Sequence, residues 1–247
     1  MQKPVKKILI ALGAAIGLLI LLCGAFVVKL AVEAGKMSSM KTQKVTDGVY
    51  AVQDKFCNLF LIKSGDRYVA VDAGDNAKNV RRELDKLQID PKKVVAVLLT
   101  HTDSDHIAAL GLFSNASIYI SKAEEQMING QTFRALFFKN KFAYKYRTLE
   151  DNQMIELTGL KVRGILIPGH TPGSMCYLIN DIYLFTGDSL SLKNGKVDIM
   201  NDFFNMDSEA QRVSLQKLAA LADAKYIFTA HYGFTDHYQD AFEGWKN

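Results

Sequence analysis

Polar, chemistry-bearing residues stand where apolar strands stop, and that placement constrains the chain more than any other feature. Val94 to Leu99 is a continuous apolar run that reads as a buried strand. It leads straight into Thr100-His101-Thr102-Asp103-Ser104-Asp105-His106. Val162 to Ile167 leads into Pro168-Gly169-His170-Thr171-Pro172-Gly173, Ile182 to Phe185 into Thr186-Gly187-Asp188, and Lys225 to Thr229 into Ala230-His231. Four of the five histidines follow strands in this way, and only His237 does not. Loops held by rigid strands are where polar chemistry can be positioned.

The remaining elements fit the same plan. Gly48–Val52, Asn58–Ile62 and Tyr68–Asp72 are short strands separated by turn signals such as Ser64-Gly65-Asp66. Asn76 to Leu87 carries Val80, Leu84 and Leu87 at helical spacing, and Ser208 to Leu221 repeats that spacing with Val213, Leu215, Leu218 and Leu221. Met175–Ile179 is a further strand, and Tyr238–Trp245 is a short amphipathic tail. No internal sequence repeat is present, although both halves use the same order of elements. The net charge of +4 is mild for 247 residues and gives no reason to expect nucleic acid.

Imidazole nitrogens and carboxylate oxygens are the donors that zinc and similar ions take at about 2.0–2.2 Å. His101, Asp103, Asp105, His106, His170, Asp188 and His231 supply seven such side chains. That is too many for one tetrahedral ion with a water, and it suits two ions sharing one carboxylate. Taken singly, His101 and His106 would read as a solvated loop and His170 as a turn histidine; their common position at strand ends argues against both.

The series His101-x-Asp103-x-Asp105-His106, His170, Asp188, His231 resembles the metallo-β-lactamase fold superfamily. So do the words "VDAG" at 71–74, "GHTPGS" at 169–174 and "TGDS" at 186–189. The likeness covers about residue 45 to the C-terminus. It implies an α/β (α+β) fold, a four-layer αββα sandwich with metals in a cleft at one edge of two sheets. It implies that His101, Asp103 and His170 bind one ion, that Asp105, His106 and His231 bind the second, and that Asp188 bridges. It gives Asp72 the task of orienting a ligand histidine, with a plain turn carboxylate as the equal alternative.

Asp103 departs from the pattern, since the superfamily usually carries histidine there. The substitution raises the negative charge of the ligand set from two to three, against four positive charges for two divalent ions. Zinc is the expected ion, and oxygen ligation favours harder ions such as manganese or iron(II). The extra charge also predicts a bound water of higher pKa, and it leaves open a first ion that binds poorly. Di-iron members of the superfamily are similar in placing a carboxylate, glutamate, at this position.

Such a centre implies a metal-dependent hydrolase. A metal-bound hydroxide would cleave an ester, thioester, lactone or related bond of a small molecule, with Asp105 as possible proton acceptor. Two alternatives stay open: a non-catalytic metal-binding surface domain, and an iron-dependent redox member. Ser191 stands where lactonases of the superfamily often have tyrosine, and Ser174 and Ser189 read as turn residues. Glutathione-thioesterase members carry a further C-terminal helical region, and little chain follows His231.

Two loops are expected to shape the substrate site. Lys122 to Arg147 interleaves Phe133, Phe137, Phe138, Phe142, Tyr144 and Tyr146 with Arg134, Lys139, Lys141, Lys145 and Arg147. It reads as a helix pair packing its aromatics on the sandwich, or as a lid or membrane-facing rim. Asp198 to Asp207, with Phe203 and Phe204, is the second.

The N-terminus has a different composition. Lys3, Lys6 and Lys7 precede Ile8–Val28, 21 residues without a charge. At about 1.5 Å per residue this run covers roughly 30 Å, the thickness of a bilayer's hydrocarbon core. The expected organisation is a single-pass membrane anchor over 1–34, a linker over 35–44 and the catalytic domain over 45–247, with that domain extracytoplasmic. A cleaved signal peptide is the competing reading. Cys57 and Cys176 lie in strand sequence and read as buried free thiols, a pairing between them being undecided.

Overall fold

A computed structural model describes residues 3–134 and 139–246, which divide into two compact units, Met1–Met37 and Ser38–Asn247. The first unit is one 32-residue helix, α1 (Lys3–Ala34). From Lys7 to Ala34 it has a mean hydropathy of 2.7, and none of its most apolar window is buried. It is long and apolar enough to cross a bilayer, a property that signal sequences share.

The second unit begins with a seven-stranded sheet ordered β1 to β7: Gln43–Thr46, Val49–Asp54, Cys57–Ser64, Arg67–Val71, Val94–Leu98, Ser117–Ser121 and Tyr146–Leu149. The first four strands are antiparallel neighbours; β4 to β7 pair in parallel. Parallel pairing requires a crossover, and α2 (Ala77–Lys86) makes the one between β4 and β5. Asn76 caps α2 by accepting from the Asn79 amide. The short helices α3 (Ser104–Ile107) and α4 (Glu125–Asn129) follow β5 and β6.

The other half contains β8 (Met154–Leu157), β9 (Leu160–Leu166), β10 (Met175–Ile179), β11 (Tyr183–Gly187), a β12–β13 hairpin (Ser191–Lys193, Lys196–Asp198), α5 (Ser208–Ala219), β14 (Tyr226–Thr229), β15 (Phe234–Thr235) and α6 (Tyr238–Ala241). Its six-stranded sheet runs β15-β14-β11-β10-β9-β8.

Period-two alternation assigns each strand face. Phe60, Ile62, Val69, Val71, Ala96 and Leu98 point to one core, and Leu59, Leu61, Ala70, Val97 and Leu99 to another. The first core is shared with Tyr177, Ile179, Phe185 and Phe228 of the second sheet, so the two sheets face each other. The second packs against Val80 and Leu84 of α2. On the far side, Leu178, Leu184 and Ile227 meet Leu215 and Leu218 of α5 with Tyr238 and Phe242. The layers are therefore helix, sheet, sheet, helix, the expected αββα sandwich.

Two local expectations need correction. The linker expected over 35–44 is partly built into the larger unit: the Ser38 amide donates to the His231 carbonyl at 2.7 Å and the Met40 amide to Asn58 Oδ1 at 2.7 Å. Backbone bonding of this kind leaves no mark on composition. The expected helix pair at 122–147 is, among the described residues, a single turn of 3-10 helix, α4 and a loop entering β7. Phe142 packs edge-on against Tyr144 and Tyr146, while Phe137 and Phe138 lie outside the described residues. Cys57 and Cys176 are buried free thiols.

Candidate metal centre

The strand ends of both sheets meet at one edge of the sandwich. The Met175 amide donates to the Thr100 carbonyl at 2.8 Å, and the Asn58 amide to the Ala230 carbonyl at 2.8 Å, tying a loop that leaves each sheet to a strand of the other. Gly187 allows the closest approach. Its backbone lies at φ +51°, and a Cβ there would collide with the Thr100 side chain. Gly173 plays the same part where the His170 loop presses on the Glu124 backbone.

All seven side chains singled out from the sequence lie at this edge. His101, His106, His170 and His231 are at most 2% exposed, and Asp188 is 5% exposed. Asp103 and Asp105 are more open, with side-chain exposures of 15% and 20%. Asp188 stands between two groups. Its Oδ2 is 3.3 Å from His170 Nε2 and 4.0 Å from His101 Nε2; its Oδ1 is 3.5 Å from His106 Nε2 and 3.2 Å from His231 Nε2. Asp103 Oδ2 joins the first group, 3.6 Å from His101 Nε2 and 3.2 Å from His170 Nε2. Asp105 Oδ2 joins the second, 3.6 Å from His106 Nε2 and 3.4 Å from His231 Nε2.

The remote ring nitrogens are bonded so that Nε2 stays available. His106 Nδ1 donates to Asp72 Oδ2 at 2.8 Å, and His231 Nδ1 to the Phe56 carbonyl at 2.9 Å. His101 Nδ1 lies 3.0 Å from Thr100 Oγ1, whose own proton goes to Asp72. One carboxylate thus fixes two rings, one directly and one through a hydroxyl. The Nε2 atoms of His101, His106 and His231 and Oδ1 of Asp188 are buried without hydrogen-bond partners. Orphaned buried atoms of this kind are rare in folded proteins. Four of them converging here suit a bound cation.

Charge reinforces the point. Burial pushes Asp188 up, but the charges of His231, His106 and His170 outweigh it and hold the carboxyl well below the ordinary range. Asp105 is brought to about 2, the charges of His106 and His231 prevailing over burial. Burial lowers His231, yet Asp188 and Asp105 raise it to about 10. His106 is likewise raised well above the usual histidine value by Asp72, Asp105 and Asp188 against the effect of burial. His170, dominated by burial, falls to about 4.

Three further residues complete the centre. Glu124 is buried and joins the His101 and His170 loops: Oε1 accepts from the Thr102 amide at 2.8 Å and Oε2 from Thr171 Oγ1 at 2.7 Å. Burial raises its carboxyl. Arg134 Nη2 lies 2.9 Å from Asp103 Oδ2 and donates to the Phe204 carbonyl at 2.7 Å, while Nη1 donates to the His170 carbonyl at 2.6 Å. Asn140 Nδ2 reaches Asp103 Oδ1 at 3.1 Å. Sequence reading passed over Glu124 and Asn140 and placed Arg134 only in a basic, aromatic segment. Asp103, N-cap of α3, makes no capping bond; its carboxylate is turned to these neighbours instead. The Ser191 hydroxyl donates to the Ile199 carbonyl at 2.9 Å.

Residues 52–231 match the family described as the metallo-beta-lactamase superfamily. The chain belongs to that superfamily. A probable polyketide biosynthesis zinc-dependent hydrolase, BaeB of Bacillus velezensis, is 36% identical over 138 residues, 55% of this chain and 55% of that protein. The chain thus matches about half the length of that relative. Hydroxyacylglutathione hydrolase of Glaesserella parasuis is 32% identical over 186 residues, 73% of this chain and 67% of that protein. Among solved structures, the subclass B3 metallo-beta-lactamase BJP-1 of Bradyrhizobium japonicum superposes with a TM-score of 0.63 at 15% identity, covering 79% of each chain. That last likeness is one of fold.

Proposed function

We propose that this superfamily member is a metal-dependent hydrolase of small acyl substrates, an ester or thioester first among them. The observation that carries the reading is the position of Asp188, whose two oxygens each face a separate group of imidazole Nε2 atoms. His101, Asp103 and His170 would hold one divalent ion and Asp105, His106 and His231 a second, with Asp188 shared. Ions bound there supply Lewis acidity and lower the pKa of water. Zinc is the ion named for BaeB, and the donor set suits it.

The protein's own groups do the rest. Asp72 and Thr100 keep the Nδ1 protons of His106 and His101 in place, so that Nε2 points inward. Asp105, the most open carboxylate of the centre, is positioned to take a proton from the cleft. Thioester substrates are favoured by the likeness to hydroxyacylglutathione hydrolase over 73% of this chain. The exposed apolar surface of α1 supports a single-pass anchor, and the short basic tail before it, with Lys3, Lys6 and Lys7, is the ground for reading the catalytic unit as extracytoplasmic.

The test is turnover by the zinc-loaded full chain in detergent, on a panel of thioesters, p-nitrophenyl esters, lactones, phosphodiesters and a β-lactam. Acyl substrates are expected to turn over, and Asp105→Ala and Asp188→Ala to reduce the rate by about 10²-fold or more. Turnover that survives both substitutions would refute the proposal.

A further inference from the structure

Arg134 brings a positive charge into the cluster that would hold the first ion. Its Nη2 is 2.9 Å from Asp103 Oδ2 and 3.0 Å from His170 Nε2, and those two atoms are 3.2 Å apart. The three form a nearly equilateral triangle. An ion bonded to both Oδ2 and Nε2 at about 2.1 Å must lie on a small circle around their midpoint, and no point of it is more than about 4 Å from Nη2. A divalent ion and a guanidinium at that separation repel, and the burial of His101 and His170 beside them limits the screening.

The guanidinium is also well secured. It donates to the carbonyls of His170 and Phe204 as well as engaging Asp103. Arg134 also approaches the His170 ring, with Nη2 at 3.0 Å from Nε2 and 3.5 Å from Nδ1. The position that differs from the superfamily pattern, Asp103, is thus the position that supplies the partner for this charge. The guanidinium charge leaves the cluster only when the side chain moves.

We propose that Arg134 acts as a resident cation of the His101–Asp103–His170 cluster and competes there with the divalent ion. The Asp105–His106–His231 cluster, which has no such neighbour among the described residues, takes the tight ion, and the first cluster takes a weak one. Arg134 is then a positioning residue that sets metal stoichiometry. This rests on the two clusters being metal sites, as read above.

The test is zinc binding to the full chain in detergent, measured by equilibrium dialysis and chelator competition for wild type, Arg134→Ala, Arg134→Gln and Arg134→Lys. Wild type is expected to bind one ion tightly and a second at least about tenfold more weakly. Neutralising Arg134 is expected to tighten the second ion by about 10–100-fold, the scale on which groups just behind metal ligands act. Arg134→Lys, which keeps the charge, should behave as wild type. A purely structural role would predict the reverse, a weaker second ion in both neutral variants. That result, or two equally tight ions in wild type, overturns the proposal. If no variant binds zinc at either cluster, the reading of the site as a metal centre fails, and this proposal with it.

Discussion

Asp72 Oδ2 accepts from His106 Nδ1 at 2.8 Å, while the same carboxylate receives the Thr100 hydroxyl that supports His101. Asp72 sits at φ +62°, just past the end of β4, a left-handed conformation that aspartate tolerates better than most residues. A backbone held in this way aims one carboxylate at two rings that lie in different groups around Asp188.

Removing that carboxylate should therefore weaken metal binding without dismantling the sandwich. Asp72→Ala is expected to lower zinc affinity by about 10–100-fold, as measured by chelator competition. Unchanged affinity would reduce Asp72 to a turn residue.

Metal uptake should expel protons. In the metal-free protein His231 is raised to about 10 and His106 well above the ordinary histidine value, so both are protonated at pH 7. Ligation needs their Nε2 lone pairs, so loading releases about two protons at pH 7, and affinity falls about hundredfold per unit of acidification. Calorimetry in buffers of different ionisation enthalpy measures this release directly.

The same shifts set the pH stability of the metal-free protein. Raised folded values at His231 and His106 give stability that is full below about 6.5 and is lost as pH rises, toward about 10 for His231. The depressed value at His170, about 4, works in the other direction and favours folding as pH climbs from about 4 to 6.5. Metal-free melting temperature should peak near pH 6.5 and decline on the alkaline side, and zinc should flatten that decline.

Gly187 tests the packing beneath the site. Gly187→Ala would place a methyl against Thr100 on a left-handed backbone and is expected to cost about 1–3 kcal/mol by denaturant unfolding. Gly195 is also left-handed, at φ +77°, but has open space around it. Gly195→Ala should cost only the backbone share, about 1–2 kcal/mol, and leave metal binding unchanged.

Asp103 and Arg134 should be coupled. Asp103→His alone restores the usual ligand type but strands the guanidinium among neutral rings, so it is expected to bind the second ion no better than wild type. Asp103→His combined with Arg134→Ala should bind two ions tightly. A double-mutant cycle on zinc affinity measures the coupling.

Much of this was legible from residues alone because the signals are local. Val94–Leu99 announces a buried strand, and the polar word that follows it has only one place to go, the sheet edge. The alternation in Asn58–Ile62 and Tyr68–Asp72 fixes which side chains face which layer. The short strands β6, β7 and β8 and the β12–β13 hairpin escaped notice because three to five residues carry little periodicity. Glu124, Arg134 and Asn140 act over separations of 22 to 70 residues, through a loop whose pattern predicts helices. No local rule reaches that far, and the meaning of Asp103 depended on Arg134.

The most direct test of the central claim follows thioester hydrolysis by the full chain as zinc is removed by a chelator and then returned. Turnover is expected to be lost on removal and recovered on return. A rate indifferent to the metal would contradict that claim.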